Sequence, residues 1–244
     1  MEEKVFIACS AHYKKRYCLS DYIKGVNVLT YPHLEIWFGD NSPDNSYTKL
    51  IERYDIGNVL TVSSEGRAVD RVVRTMNLLR EKFLTSNCQW FCSLEQDVIP
   101  PPSVFETLLS HKKKVISGLV YHGMAKHVQG GMIVERLPLA AVRQDNGTLR
   151  YFTNEEVEKH DGLASVDYVT MGCLLIHRSV LEKIHFRCKD FMTKLGVQDS
   201  VWHDFCFCDD AKALGEDIFV DFSVRCAHKL KVNVTNTGFT ESIR

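Results

Sequence analysis

No apolar run in this 244-residue chain is long enough to cross a bilayer. The longest, such as Val115–Tyr121 and Gly172–Ile176, fall far short of the roughly 20 residues a spanning helix needs. Nor is there an excess of charge. Lys and Arg number 30 and Asp and Glu 31, a net charge of −1, which removes the global attraction to nucleic acid that a strongly basic chain carries. Prolines are few, 6 in all, and no Gly/Ser-rich or low-complexity stretch divides the chain, so one domain with a sizeable core is expected. Catalytic signatures are scarce as well: there is no HExxH, no GxSxG elbow and no Walker loop. Cysteine is plentiful at 9, but the number is odd and neither Cys88/Cys92 nor Cys206/Cys208 gives a paired CxxC zinc layout. Reduced, buried thiols are the expectation. MEEKVFIACS sets acidic residues ahead of a short apolar run, without the layout of a signal peptide. The reading is therefore cytoplasmic, or peripheral at the cytosolic face of a membrane.

What is present is alternation. Strands are expected at Lys4–Cys9, Leu34–Phe38, Asn58–Val62, Gln89–Leu94 and Val115–Tyr121. Between them, Lys14–Lys24 reads as a helix, and Val69, Val72, Val73, Met76, Leu79 and Phe83 recur at helical spacing within Arg67–Leu84. Pro100-Pro101-Pro102 stops a strand and opens a helix at Ser103–Ser110. Such an order implies an α/β fold with a largely parallel sheet and helices on both faces. Further on, Asn146-Gly147 marks a hairpin between Leu139–Val142 and Thr148–Phe152. Val166–Val169, Cys173–His177, Asp217–Val220 and Val224–Ala227 read as strands. Arg178–Ile184 and His203–Leu214 read as helices, the second ending at Gly215. The polar stretch from Asn233 reads as a loosely held tail. Lys112-Lys113-Lys114 and Lys14-Lys15-Arg16 read as solvated helix ends.

In open parallel sheets, ligands bind beyond the carboxyl ends of the strands. Asp40 and the Glu95-x-Asp97 pair both fall at such ends and can share one crevice. Carboxylate oxygens are hard ligands for Mg²⁺ or Mn²⁺, which neutralise diphosphate oxygens. An acid-x-acid pair in a solvated loop is the plainer alternative. Asp40 likewise suits either a ligand contact or an Asx-turn through Asp40-Asn41-Ser42-Pro43.

Ser93-Leu94-Glu95-Gln96-Asp97-Val98-Ile99-Pro100-Pro101 resembles the DxD segment of GT-A type glycosyltransferases, the family-2-like group in particular. Val5–Ser10 is similar to that family's first strand, and Tyr31–Ile36 running into Asp40-Asn41-Ser42 to its second. Arg67 through Asn77 resembles the helix lining the donor site. His203-Asp204, Gly215 and His228 follow the spacing of the acid-pair helix and the late metal-binding histidine. The resemblance covers roughly residues 4–121 and 167–230. It implies a GT-A fold with a mixed, mostly parallel sheet: a donor half at 1–121, an acceptor half with the late metal ligand at 122–232, and the polar tail at 233–244.

The resemblance further implies a metal-dependent transfer of a sugar from a nucleotide-diphosphate sugar to an acceptor hydroxyl, with inversion. Asp97, Glu95 and His228 would hold Mn²⁺ or Mg²⁺. Ala8, Ser10, Asp40, Arg67, Arg74, Glu95 and Gln96 would line the donor nucleotide, although Arg67 and Arg74 suit helix-surface ion pairing as well, and Lys229 and Lys231, close to His228 in the chain, suit either phosphate or solvent. Asp204 would be the catalytic base, and Trp202, His203 and Gly172 would face the acceptor, which a glycan, a lipid-linked sugar or a protein could supply. Two departures stand out: Glu95 replaces the first Asp of DxD, and His203 replaces the Glu of the Glu-Asp pair. The alternatives are a sugar nucleotidyltransferase, for which Ala8–Tyr13 lacks a Gly-rich loop, and an inactive nucleotide-sugar-binding module.

Overall fold

The computed structural model describes residues 3–128, 131–160, 162–193, 195–229, 232–234 and 240–242. Eight strands build the central sheet: β1 (Val5–Ala11), β2 (Leu34–Asp40), β3 (Asn58–Thr61), β4 (Trp90–Leu94), β5 (Val115–Leu119), β6 (Leu163–Val166), β7 (Cys173–His177) and β8 (Ile218–Arg225). Their order across the sheet is β6-β8-β5-β7-β4-β1-β2-β3. Neighbours β3, β2, β1 and β4 run parallel. β7 is antiparallel to both β4 and β5, while β8 is parallel to β5 and β6 antiparallel to β8. The sheet is thus mixed and mostly parallel, as the alternation of apolar and amphipathic segments predicts.

Both faces of the sheet are covered, so its strands are apolar on both sides. Along β1, Phe6 and Ala8 enter one core with Met76, Leu79, Phe83 and Phe91. Val5, Ile7 and Cys9 enter the other with Tyr22, Ile23, Phe38 and Phe105. Helix α1 (Leu19–Asn27), helix α2 (Ser46–Glu52), helix α3 (Ala68–Thr85), helix α4 (Val104–Ser110) and helix α5 (His203–Ala213) flank the sheet. Eight of the nine cysteines are buried and Cys188 is partly so, all as free thiols. The approach of α3 to β2 is set by Gly39. A Cβ there would lie 2.4 Å from Thr75 Cγ2 and 3.3 Å from Leu79 Cδ1. Gly39→Ala should therefore destabilise the fold by about 1–3 kcal/mol, read as a Tm several degrees lower in thermal unfolding. An unchanged Tm would mean that α3 can shift outward at no cost.

Several elements differ from the sequence reading. The predicted helix at Lys14–Lys24 is a 3-10 segment, Tyr13–Cys18, followed by α1. Asp217–Val220 and the first part of Val224–Ala227 are not two strands: β8 spans Ile218–Arg225, with a register shift against β5 between Asp221 and Arg225, and Ala227 begins the separate pair Ala227–His228. Arg178–Ile184 shortens to one turn, Arg178–Leu181. The hairpin at Asn146-Gly147 forms, with Ala140–Arg143 antiparallel to Leu149–Tyr151 and Gly147 at φ 82°. A second hairpin, Lys189–Met192 with Gln198–Val201, carries no turn dipeptide of the kind the sequence reading looked for. At the start of the stretch read as a loose tail from Asn233, Val232–Val234 pairs with Thr240–Ser242.

Candidate active site at the carboxyl edge of the sheet

Because β1, β2 and β4 are parallel, their last residues reach the same edge. There Ala11 pairs with Asp40, and Leu94 pairs with Cys173 at the start of antiparallel β7. Parallel β5 and β8 also end on this edge, and β8 leads through Cys226 into Ala227–His228. Ala227–His228 forms a short antiparallel ladder with Val98–Ile99, setting His228 opposite Val98. Residues far apart in the chain meet here for a reason of topology.

Glu95-Gln96-Asp97 is a tight turn closed by the Val98 N–H to the Glu95 carbonyl, 2.9 Å. The Glu95 N–H donates to the Gly172 carbonyl at 3.0 Å, and Ser93 Oγ donates to the Met171 carbonyl at 2.7 Å. This turn is held from both sides. Asp97 is buried, with one oxygen facing the Lys15 ammonium and the other the His228 imidazole. Lys15 Nζ lies 2.8 Å from Oδ1, and His228 Nε2 lies 3.4 Å from Oδ2. Lys15 Nζ also stands 3.7 Å from Glu95 Oε2. Burial works against the Asp97 anion, but the His228 hydrogen bond and the Lys15 charge outweigh it and bring its pKa down to about 2. His228 is raised in turn. Burial opposes its charge, and the hydrogen bond and charge of Asp97 overcome that. Its Nδ1 is 2.7 Å from the Tyr121 carbonyl, so that nitrogen donates and Nε2 is the one turned to the carboxylate. Lys15 is also raised, since Glu95 and Asp97 outweigh burial.

Two carboxylates and an imidazole suit Mn²⁺ or Mg²⁺ in donor chemistry. As the side chains stand, the Lys15 ammonium bridges the carboxylates. Among the described residues, no three His, Cys, Asp or Glu side chains are grouped to hold an ion.

Gln96 is fully buried and acts as a staple. Its Oε1 accepts from the His12 N–H at 3.2 Å, and its Nε2 donates to the Lys15 carbonyl at 3.0 Å and to the Tyr47 hydroxyl. Asp40 is buried too, with Oδ1 accepting from the Ser42 N–H (2.9 Å) and Oγ (2.5 Å) and Oδ2 from Thr48 Oγ1 (2.7 Å). These bonds make the Asx-turn that the sequence reading left open, and they fix the loop after β2. Ser42 Oγ then accepts from the Tyr13 N–H, joining that loop to the one after β1. Ser10 Oγ accepts from Asn41 Nδ2 at 3.4 Å, whereas Ala8 faces the core. Arg67 and Arg74 turn to other partners. Arg67 pairs with Asp70 and Asp190, and Arg74 donates to the Ser63 and Glu65 carbonyls. Lys229 pairs with Asp21 at 2.9 Å, and Lys231 lies outside the described residues.

On the acceptor side, Asp204 occupies the first turn of α5. Its Oδ2 accepts from the Tyr168 hydroxyl at 2.8 Å and its Oδ1 from the Phe205 N–H at 2.9 Å. Tyr168 stacks on Phe205 at 4.1 Å, and burial together with the Asp204 charge pushes its hydroxyl pKa up. Tyr168 also lies three residues before Met171, the anchor of Ser93, so the Asp204 partner and the acid turn hang on one short segment. Trp202 is 45% exposed just ahead of α5, while His203 is buried, its Nδ1 without a hydrogen-bond partner among the described residues. The space above Gly172 is taken: a Cβ on that residue would lie 3.1 Å from Val120 and 3.2 Å from Val98. Lys15 and Tyr168 were missed by sequence reasoning. Lys15 had one signal, its position just beyond the carboxyl end of a parallel strand; Tyr168 had none.

No protein-family model and no curated protein matches the sequence. Solved structures do resemble the fold. GalNAc-T7 with UDP, GalNAc and Mn²⁺ aligns with a TM-score of 0.63 at 12% identity, covering 94% of this chain and 44% of that one. Residues 1–349 of S. aureus TarS in complex with UDP-GlcNAc align at 0.51 and 12% identity, covering 90% and 55%. A197 from STIV aligns at 0.49 and 15% identity, covering 100% and 95%. This chain spans about half the length of the GalNAc-T7 and TarS structures. Together with the topology of the sheet, the GalNAc-T7 and TarS likenesses show a GT-A-like fold.

Proposed function

We propose that this chain is a glycosyltransferase that moves a sugar from a nucleotide-diphosphate sugar to an acceptor hydroxyl, with inversion. The observation that carries this reading is the turn Glu95-Gln96-Asp97, with His228 and Lys15, beyond the carboxyl edge of a GT-A-like sheet. It is strengthened by neighbours whose structures contain UDP or UDP-GlcNAc. Residues 1–121 would form the donor half, 122–232 the acceptor half and 233–244 a polar tail, working in the cytoplasm or at the cytosolic face of a membrane. No helix among the described residues is long and apolar enough to cross one.

Asp97, Glu95 and His228 would hold Mn²⁺ or Mg²⁺, which when bound neutralises the charge growing on the leaving diphosphate. Ser10, Asp40 and Gln96 would shape the nucleoside pocket, Asp40 and Gln96 through the loops they fix. Asp204 would accept the proton of the acceptor hydroxyl as its oxygen attacks the anomeric carbon. By analogy with the carboxylate logic of glycosidases, Asp204 acting as a lone base favours a single displacement, hence inversion, and product anomers retaining the donor configuration would overturn that step. Tyr168 would be a positioning residue for Asp204. Tyr168→Phe should lower kcat about tenfold with donor affinity and KM kept, because the hydroxyl that orients the Asp204 carboxylate is gone. An unchanged kcat would leave Tyr168 a packing residue only.

The reading is tested by thermal unfolding with UDP, GDP, CDP or ADP, each with Mn²⁺ or with EDTA. A ligand that binds only the folded state at about a hundredfold over Kd adds about 2.7 kcal/mol. One nucleotide stabilising only with metal supports the proposal. If none stabilises under any condition, the transferase reading falls.

A further inference from the structure

The cation on the acid pair belongs to the chain itself. Lys15 lies in the 3-10 segment Tyr13–Cys18, and its backbone is pinned. Its N–H donates to the His12 carbonyl at 2.8 Å, and its own carbonyl accepts from Gln96 Nε2 at 3.0 Å and from Cys18 Sγ at 2.9 Å. Gln96 sits between the two acids, so the segment and the acid turn are tied together. The Lys15 side chain is different, being flexible and 37% exposed, with its ammonium on Asp97 Oδ1 and near Glu95 Oε2. A divalent ion taking these oxygens would meet a like charge in a site where Asp97 is only 8% exposed and screening is weak. The ammonium would have to leave first. With its backbone held by the His12 carbonyl and Gln96, the ammonium stays within a side chain's reach of the acid turn, where an incoming anion would draw it away from solvent. A diphosphate is the anion this edge would receive.

We propose that Lys15 is a donor-binding residue that waits on Glu95 and Asp97 and transfers its ammonium to the diphosphate when the divalent ion arrives. This rests on the nucleotide-sugar reading for its ligand. Metal and diphosphate are then coupled ligands: each binds weakly alone and tightly with the other, because only together do they give every charge a partner. The arrangement guards the acid pair against a lone metal ion, and it makes Lys15 as much a part of donor recognition as the acids.

The test uses wild type, Lys15→Met and Lys15→Gln. Mn²⁺ alone is titrated by electron paramagnetic resonance, and pyrophosphate binding is followed by isothermal calorimetry at saturating Mn²⁺. Mn²⁺ alone should bind at least tenfold tighter to either variant than to wild type, because the competing charge is gone. Pyrophosphate with Mn²⁺ should bind at least tenfold more weakly, because the ammonium no longer reaches it. Lys15→Gln keeps a hydrogen-bonding group near Asp97 and serves if Lys15→Met does not fold. Equal or weaker Mn²⁺ affinity in the variants overturns the proposal, as does unchanged pyrophosphate affinity. If the pattern holds with pyrophosphate while UDP, GDP, CDP and ADP all fail to bind wild type, Lys15 keeps its role and the nucleotide-sugar reading is what falls. If a nucleotide binds and the variants change nothing, the reverse is true.

Discussion

Asp204→Asn should lower sugar transfer by about 10²–10⁴-fold, the usual worth of a general base, with donor affinity unchanged. The substitution keeps the shape of the side chain. Its amide oxygen can take the Phe205 N–H, and its NH₂ can donate to the Tyr168 hydroxyl, which then acts as acceptor. What it loses is the ability to take a proton at neutral pH. Stability should therefore stay close to that of wild type. A product assay paired with nucleotide-dependent thermal unfolding separates the readings. Transfer lost with binding kept is the signature of an enzyme with Asp204 as its base. Transfer at the wild-type rate would remove Asp204 from the mechanism. An inactive binding module would show donor binding and no transfer even before the substitution.

Asp97→Asn carries the second large effect, on binding and on stability together. Its carboxylate stands between Lys15 at 2.8 Å and His228 at 3.4 Å. Removing the carboxylate takes away the shared partner of Lys15 and His228, at a cost of about 2 kcal/mol, less than the roughly 3–5 kcal/mol of a fully buried pair because Lys15 is 37% exposed and keeps Glu95 nearby. Metal-dependent nucleotide stabilisation should vanish with it, since Asp97 is the most buried carboxylate in the proposed metal set. The sign of the acid dependence follows from a folded-state pKa of about 2, below the unfolded value of about 3.9. Wild type holds the Asp97 contribution, on the order of 2 kcal/mol, above about pH 4 and loses it as pH falls toward about 2. The variant has nothing to lose in that window, so its stability should fall less steeply there. Parallel acid transitions in the two proteins would show that Asp97 is not the group responsible.

Some of the site was legible because it depends on local order. A strand ending in polar residues and a proline stop fixes Glu95 and Asp97 at a carboxyl edge, and the structure has them there in a turn closed at 2.9 Å. The family resemblance, not local order, linked His203-Asp204 and Gly215 to His228; in the structure Gly215 closes α5 at φ 78°, and His228 lies against Asp97. Other residues of the donor list behave differently. Arg67 has a helix-start position in the sequence, but its partner Asp190 is 123 residues away on a hairpin that no turn dipeptide announces. Asp40 could be read either as a ligand or as an Asx-turn, and hydrogen bonds from Ser42 and Thr48 engage both its oxygens.

The sequence by itself determined the sheet-and-helix alternation, the apolar stripes that bury both sheet faces, and the placing of two acids at a strand end. All of these follow from periodicity and turn chemistry within a few residues. Only the tertiary structure decided which charges face those acids. That choice depends on β1, β4 and β8 ending on one edge and on Gln96 tying the segment after β1 to the acid turn. A lysine that looks solvated in a run of basic residues becomes the counterion of a buried carboxylate because strand order, not sequence distance, sets its neighbours.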